Sequence, residues 1–420
     1  MDHRPRVENA DPTELTDPYP TWQEARRTCP VFYDERLGYW QITRYEDVNA
    51  AVLDTANLSS EGFFATVKVH PGNEHLLPHG PPGHGGLAMD TPSLATADPP
   101  THTRVRKMCA EPFRPRRVAD LEPELRKIAD ELIDGFAGDG HCDLIEQLSV
   151  PFSLLTIARI LGMPDSDIDE MRRYSDEMPQ TLDPSLTKKQ QAELFRHYGT
   201  FYDFCREAAE RARRSPGHDL LSGLVATIDA SPADKQLCEA ELVSVIATLI
   251  TAGNETTRYL IGNMLLLLFR HPDQLEAVRA DPSLATNAVE ETLRHYTSVK
   301  GNLRIATSDV IYSGVTIPAG DAVQVCWGSA MRDESVFERP NEFDICRSDL
   351  KKHFSFSRGP HVCLGAPLAR LESIIALQHL LARLPGLELE REPVYPDEYV
   401  STVQVQGVAR LDLRWPVVSK

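Results

Sequence analysis

The stretch Leu242–Phe269 constrains the fold more than any other part of this 420-residue chain. Its two apolar blocks could together cross a bilayer, yet Asn254, Glu255 and Arg258 interrupt them at the centre. Charges at the middle of a bilayer are expensive. The stretch therefore reads as a helix buried through the core of a large globular domain. Residues 102–297 around it read almost wholly as helix, broken at Gly138–Gly140, Gly162–Pro164, Asp183–Pro184 and Ser215–Gly217.

Outside that helical block the pattern changes. Upstream come a short helix (Tyr19–Thr28), a strand pair around Tyr39–Ile42 and a second helix (Tyr45–Leu53). Downstream, Arg304–Thr307, Val310–Tyr312, Val315–Ile317 and Ala322–Cys326 read as short β segments between Gly and Pro. Leu364–Leu384 returns to helix and stops at Pro385–Gly386, and Val400–Val418 alternates as strands. The expected fold is mainly α with smaller β-rich parts at 303–326 and 400–418. With no internal repeat and no linker, residues 1–420 are expected to form a single domain. Residues 61–100 are rich in Gly, Pro and His without a sustained period. Loops this long are usually lids or binding loops, so 61–97 is expected to be a mobile loop over a substrate cavity.

Charge narrows the function. A formal net charge of −18 and a pI near 5.2 argue against nucleic acid and anionic membranes, and suit an uncharged or apolar ligand. The N-terminal residues are polar and acidic, without the apolar core of a signal peptide. The eight cysteines form no CxxC pair, which points to a reducing compartment. A cytoplasmic, monomeric enzyme is expected, with no nucleic-acid or membrane partner. His70, His75, His79 and His84 are too irregularly spaced for a structural metal site.

The run Phe356-Ser-Arg-Gly359-Pro-His361-Val-Cys363-Leu-Gly365 stands directly before an amphipathic helix. A thiolate is a strong axial donor to haem iron, and this setting would protect one. Gly359 and Gly365 let backbone N–H groups approach the sulfur, and the helix N-terminus adds partial positive charge. Pro367 falls in the first turn, where its missing N–H costs little. The plain alternative is one more buried cysteine. Against it, the ten-residue run resembles the cytochrome P-450 signature, Phe-x-x-Gly-x-His/Arg-x-Cys-x-Gly.

Further matches in the expected order carry this resemblance over nearly the whole chain. Ala252-Gly-Asn-Glu255-Thr256-Thr257 lies mid-helix, where the Thr256 hydroxyl can bond back to Ala252 and loosen the helix, while Gly253 leaves room for a small ligand. The resemblance makes Glu255 and Thr256 the acid–alcohol pair that relays protons to dioxygen. It makes Glu291-Thr-Leu-Arg294, with Arg347, a buried cluster that locks the loop leading to Cys363. His102, Arg106, Arg304 and His361 become partners of the haem propionates. Arg104, Lys107, Arg114, Arg116 and Arg117 form a basic cluster suited to an acidic electron donor.

The resemblance implies haem b held between the long central helix and the Cys363 helix. It implies a bacterial monooxygenase that inserts one oxygen atom of O2 into a C–H or C=C bond of a mostly apolar molecule. Electrons would come from NAD(P)H only indirectly, through a separate ferredoxin or flavodoxin and its reductase. The substrate cavity is expected to involve the 61–97 loop, the region around Met178–Phe195, Leu249, Ala252, Val299, Lys300, Asn302, Gln404 and Val405, with Lys300 receiving an anionic group. Two other readings stay open here: a haem-thiolate protein without oxygen activation, isomerase- or dehydratase-like, and a haem-binding auxiliary protein. The intact acid–alcohol pair argues against the first, and the second predicts that Thr256→Ala changes nothing.

Overall fold

A computed structural model describes residues 17–61, 70–73, 76, 93–177, 180, 186–230 and 238–417. Most of the 61–97 loop, with His75, His79 and His84, lies outside these residues, as do Met178 and the expected break at Asp183–Pro184. Helices dominate and the sheets are small. The central helix runs unbroken from Glu239 to Arg270, 32 residues. It is buried almost all round, with Val245, Ile246, Ile250, Ile261, Met264, Leu265 and Leu268 fully inaccessible. No helix among the described residues is long and apolar enough to cross a membrane.

The chain gathers into two compact units, each built from separated stretches. The first comprises Met1–Ser59, Ala119–Phe152 and Thr256–Lys420. Its largest sheet has five strands in the order Val31–Asp34, Tyr39–Ile42, Ala322–Val325, Asn302–Ala306, Leu58–Ser59. Only the pairing of Tyr39–Ile42 with Ala322–Val325 is parallel. Trp40, Ile42, Leu58, Val323 and Phe354 meet in the core on this sheet. The helix Ala366–Arg383, which follows Cys363, packs against Glu122–Asp134 and Ala285–His295.

One strand escapes the helical reading of 102–297. His141–Asp143 pairs with Asp412–Arg414, which also pairs with Glu388–Leu389. Three residues with no alternating pattern become a strand because a distant segment offers its edge.

The second unit comprises Ser60–Val118 and Ser153–Glu255. Its longest complete helix, Lys188–Arg214, starts at a Thr187–Gln190 capping box and packs against Leu220–Ala230 and Ile168–Glu177. Tyr174 stacks on Phe201 with ring centroids 4.6 Å apart. The imidazole of His70 meets the carbonyl of Leu186 at 2.6 Å, so this histidine takes a backbone partner.

Candidate active site

Cys363 sits one turn before the helix Ala366–Arg383, whose N-cap is Gly365. Its backbone N–H donates to the Phe356 carbonyl at 2.8 Å, closing the loop between them. Gly359 serves this turn differently from the sequence expectation. Its φ is +68°, and an added Cβ would come within 2.9 Å of the Leu53 side chain. Its freedom is thus used for the turn and for packing on Leu53. Gly365 is the glycine beside the sulfur, where a Cβ would stand 4.0 Å from Cys363 Sγ. His361 lies in the single turn Gly359–His361. Arg304 is buried on the strand Asn302–Ala306, where its guanidinium donates to the Leu303 carbonyl at 2.9 Å.

Ahead of this loop, Glu291, Arg294 and Arg347 come together. The Arg294 guanidinium donates to both Glu291 oxygens at 2.7 and 2.8 Å, and both side chains are fully buried. It also donates to the carbonyls of Met331 (3.0 Å), Pro340 (2.8 Å) and Glu342 (3.0 Å). Arg347 reaches Glu291 at 3.4 Å and donates to the carbonyls of Glu338, Arg339 and Glu342. Two guanidinium groups therefore share one carboxylate and staple the segment 338–347.

In the second unit, Asn254 is fully buried. It accepts from Ser153 Oγ at 2.7 Å and donates to Ser175 Oγ at 2.9 Å. A Cβ on Gly253 would meet Ile157 at 2.9 Å. Gly253 thus admits Ile157, not a small ligand as expected from sequence. Ala252–Thr257 lies within the continuous helix Glu239–Arg270. What distinguishes this segment is exposure. Thr248 and Thr256 are half-buried and Ala252 is exposed, giving an open stripe at i, i+4, i+8 that Thr251 and Gly253, also half-buried, flank. Thr248 escaped the sequence reading because one more threonine in a helix carries no signal.

Glu255 and Leu249, each 8% exposed, lie beside that stripe. His102 is buried on the helix Thr101–Cys109, with Arg106 one turn on. Burial lowers the His102 pKa, and the Arg106 charge lowers it further. The basic cluster shrinks: Arg104 pairs with Glu241, and Arg114 and Arg117 both pair with Glu111.

Among the expected cavity residues, Val299 and Val405 form an antiparallel bridge, and Gln404 donates to Asn302 Oδ1 at 2.8 Å. Lys300 turns elsewhere. Its Nζ donates to Ser401 Oγ at 3.0 Å, and it lines a cavity of about 30 Å³ with Trp22, Asp34, Arg36, Gln41 and Gln324. An anionic substrate group is therefore not its assigned partner. Burial pushes the ammonium down to about 7 from an ordinary 10.5. Between those values the unfolded chain holds the proton that the folded chain has lost, so stability rises with pH across this window. The penalty of burying the charge is fullest below about 7. Lys300→Met is expected to raise the urea midpoint most at about pH 6 and progressively less toward pH 10. A pH-independent difference would refute charge burial as the cause.

These residues suit a haem. Burial pushes the thiols of Cys29, Cys109, Cys142, Cys205, Cys238 and Cys326 up, away from the thiolate form. Cys363, by contrast, is exposed just ahead of the helix N-cap Gly365. In one unit the stripe at Ala252 carries only small side chains and His102 and Arg106 are donors that suit carboxylates; in the other, Arg304 and His361 are such donors.

Comparison with known proteins agrees. The family profile described as Cytochrome P450 matches residues 168–385. The chain is 37% identical over 380 residues to 6-deoxyerythronolide B hydroxylase of Saccharopolyspora erythraea, covering 89% of this chain and 90% of that one. It is 34% identical over 390 residues to cyclomarin C epoxidase of Salinispora arenicola, covering 92% of each. Among solved structures, cytochrome P450 CREJ in complex with (4-ethylphenyl) dihydrogen phosphate superposes with a TM-score of 0.89 at 29% identity, covering 98% of this chain and 100% of that one.

Proposed function

Because the chain belongs to the cytochrome P450 family and is a monooxygenase of it, we propose that Cys363 is its haem ligand and that it oxidises a mostly apolar small molecule at a C–H or C=C bond. The relatives named as a hydroxylase and an epoxidase represent those two outcomes of inserting one oxygen atom. The observation that carries the reading is Cys363 itself, exposed at a helix start while burial disfavours the thiolate of six other cysteines.

Haem, when bound, supplies the activation of dioxygen, which no side chain can perform. The chain's own residues bind, orient and deliver protons. His102, Arg106, Arg304 and His361 would hold the propionates. Phe356, Gly359 and Gly365 shape the loop around the sulfur, and the small side chain of Ala252 keeps the face of the central helix low. Glu255 would take up protons and pass them to Thr256 Oγ1, which would hold a proton at that face of the helix ready for delivery. Leu249, Val299 and Val405 suit an apolar substrate, with Asn302 and Gln404 as its polar contacts. Electrons would come from NAD(P)H through a separate ferredoxin or flavodoxin with its reductase, and the enzyme would work as a cytoplasmic monomer.

The visible spectrum of the dithionite-reduced protein under carbon monoxide tests this reading, for wild type and Cys363→Ala. A strongly red-shifted Soret band in the wild type, lost in the variant, is expected. A wild-type band typical of a histidine ligand, or a band that survives the substitution, would sink it.

A further inference from the structure

The carboxylate next to the buried Glu291 cluster has partners of its own. Glu290 Oε2 meets His353 Nε2 at 2.8 Å, and Arg370 donates to Oε1 at 2.5 Å and to Oε2 at 3.1 Å. Neighbouring residues on a helix point about 100° apart, so Glu290 faces a different side from Glu291. Burial alone would raise the Glu290 pKa; the hydrogen bonds and charges of His353 and Arg370 outweigh it and hold the carboxyl at about 2. The Ser355 N–H donates to His353 Nδ1 at 3.3 Å, which leaves the Nε2 proton for Glu290.

Three segments meet on this one carboxylate. Glu290 comes from the helix Ala285–His295, His353 from the strand-free segment ahead of the cysteine loop, and Arg370 from the first turns of the cysteine helix. The Arg370 guanidinium stands 4.5 Å from the centroid of the Phe356 ring, and the His353 ring lies 6.4 Å from it on centroids. Phe356 is the residue whose carbonyl accepts the Cys363 N–H. A cation over an aromatic face is attracted by it.

We propose that Glu290, His353 and Arg370 are positioning residues for the thiolate: they lock Phe356 and with it the Cys363 loop, and their charge balance tunes how readily the haem iron is reduced. This rests on the reading of Cys363 as haem ligand. Reduction adds negative charge at the iron, so a nearby cation favours it and a nearby anion opposes it. Glu290 and Arg370 neutralise each other in the wild type. Removing either partner leaves the other charge exposed to the site.

The test is the reduction potential of the haem-loaded protein by spectroelectrochemistry, with circular dichroism to confirm folding. Glu290→Gln is expected to raise the potential and Arg370→Gln to lower it, whereas Arg370→Lys, which keeps the charge, stays near wild type. A merely structural role would move both Gln variants in the same direction, through loosening of one loop. Shifts of the same sign, or none, would overturn the proposal. Should Glu290→Gln fail to retain haem, the Arg370 pair decides: lowering by Gln with recovery by Lys supports it, and equal potentials refute it. Failure of the underlying reading would look different, because the wild type itself would then lack the red-shifted Soret band with carbon monoxide.

Discussion

Arg294→Leu is expected to destabilise the folded protein by about 3–5 kcal/mol, the cost of breaking a buried ion pair by removing one partner. The substitution leaves the fully buried Glu291 carboxylate with Arg347 at 3.4 Å and the Asp344 N–H at 2.9 Å, and strips the carbonyls of Met331 and Pro340 of the Arg294 guanidinium. Domains are stable by only about 5–15 kcal/mol, so much of the margin goes. Glu291→Gln should be at least as damaging, since two guanidinium groups then share a buried space without a carboxylate. Arg294→Lys keeps the charge but replaces the planar fork by a point donor, and should fall between. Urea midpoints of the three variants, together with the haem retained after gel filtration, measure this. A midpoint for Arg294→Leu within about 1 kcal/mol of wild type would show that the cluster does not hold the loop ahead of Cys363.

Glu255→Gln and Thr256→Ala are each expected to lower product formation about 10²-fold or more, the usual contribution of a positioned proton donor. The reduced, carbon monoxide-bound spectrum should not change, because neither residue belongs to the Cys363 loop. That contrast separates proton delivery from loss of the cofactor. Gln is close in shape to Glu, so the variant removes the ionisable group while keeping the bulk of a side chain that is 8% exposed. Product formed per NAD(P)H consumed, measured with a turned-over substrate and competent redox partners, is the readout. Thr256→Ala making product at the wild-type rate would remove Thr256 from the relay, and no product from the wild type itself would favour a haem-binding protein without oxygen activation.

Several corrections at the site share one cause. Gly253 and Gly359 each suggest close approach where a side chain is missing, yet in each case a side chain fills the space, Ile157 and Leu53. Neither neighbour is close in sequence, so no local pattern names it. Lys300 looked like an anion receptor because it stands in a segment expected to border the cavity. Its amine instead reaches Ser401, about a hundred residues on. The Glu290–His353–Arg370 cluster was hidden for the same reason: each residue alone reads as a surface charge, and only their meeting makes a site. The basic cluster at 104–117 lost members to Glu111 and Glu241, acids that composition counts but does not place.

The helices were legible from sequence by itself, because helical hydrogen bonds and faces are set by residues three and four apart. Tyr19–Thr28, Tyr45–Leu53 and the central helix stand where the sequence pattern places them. So was the family, because the Cys363 signature is a contiguous run that must keep its chemistry in order. Tertiary structure alone decided the strand His141–Asp143, the partners of Gly253 and Lys300, the open stripe at Thr248, Ala252 and Thr256, and the division into two discontinuous units. Strand edges, cavities and buried ion pairs join residues tens to hundreds of positions apart, and their energies depend on burial, which exists only once the chain has folded.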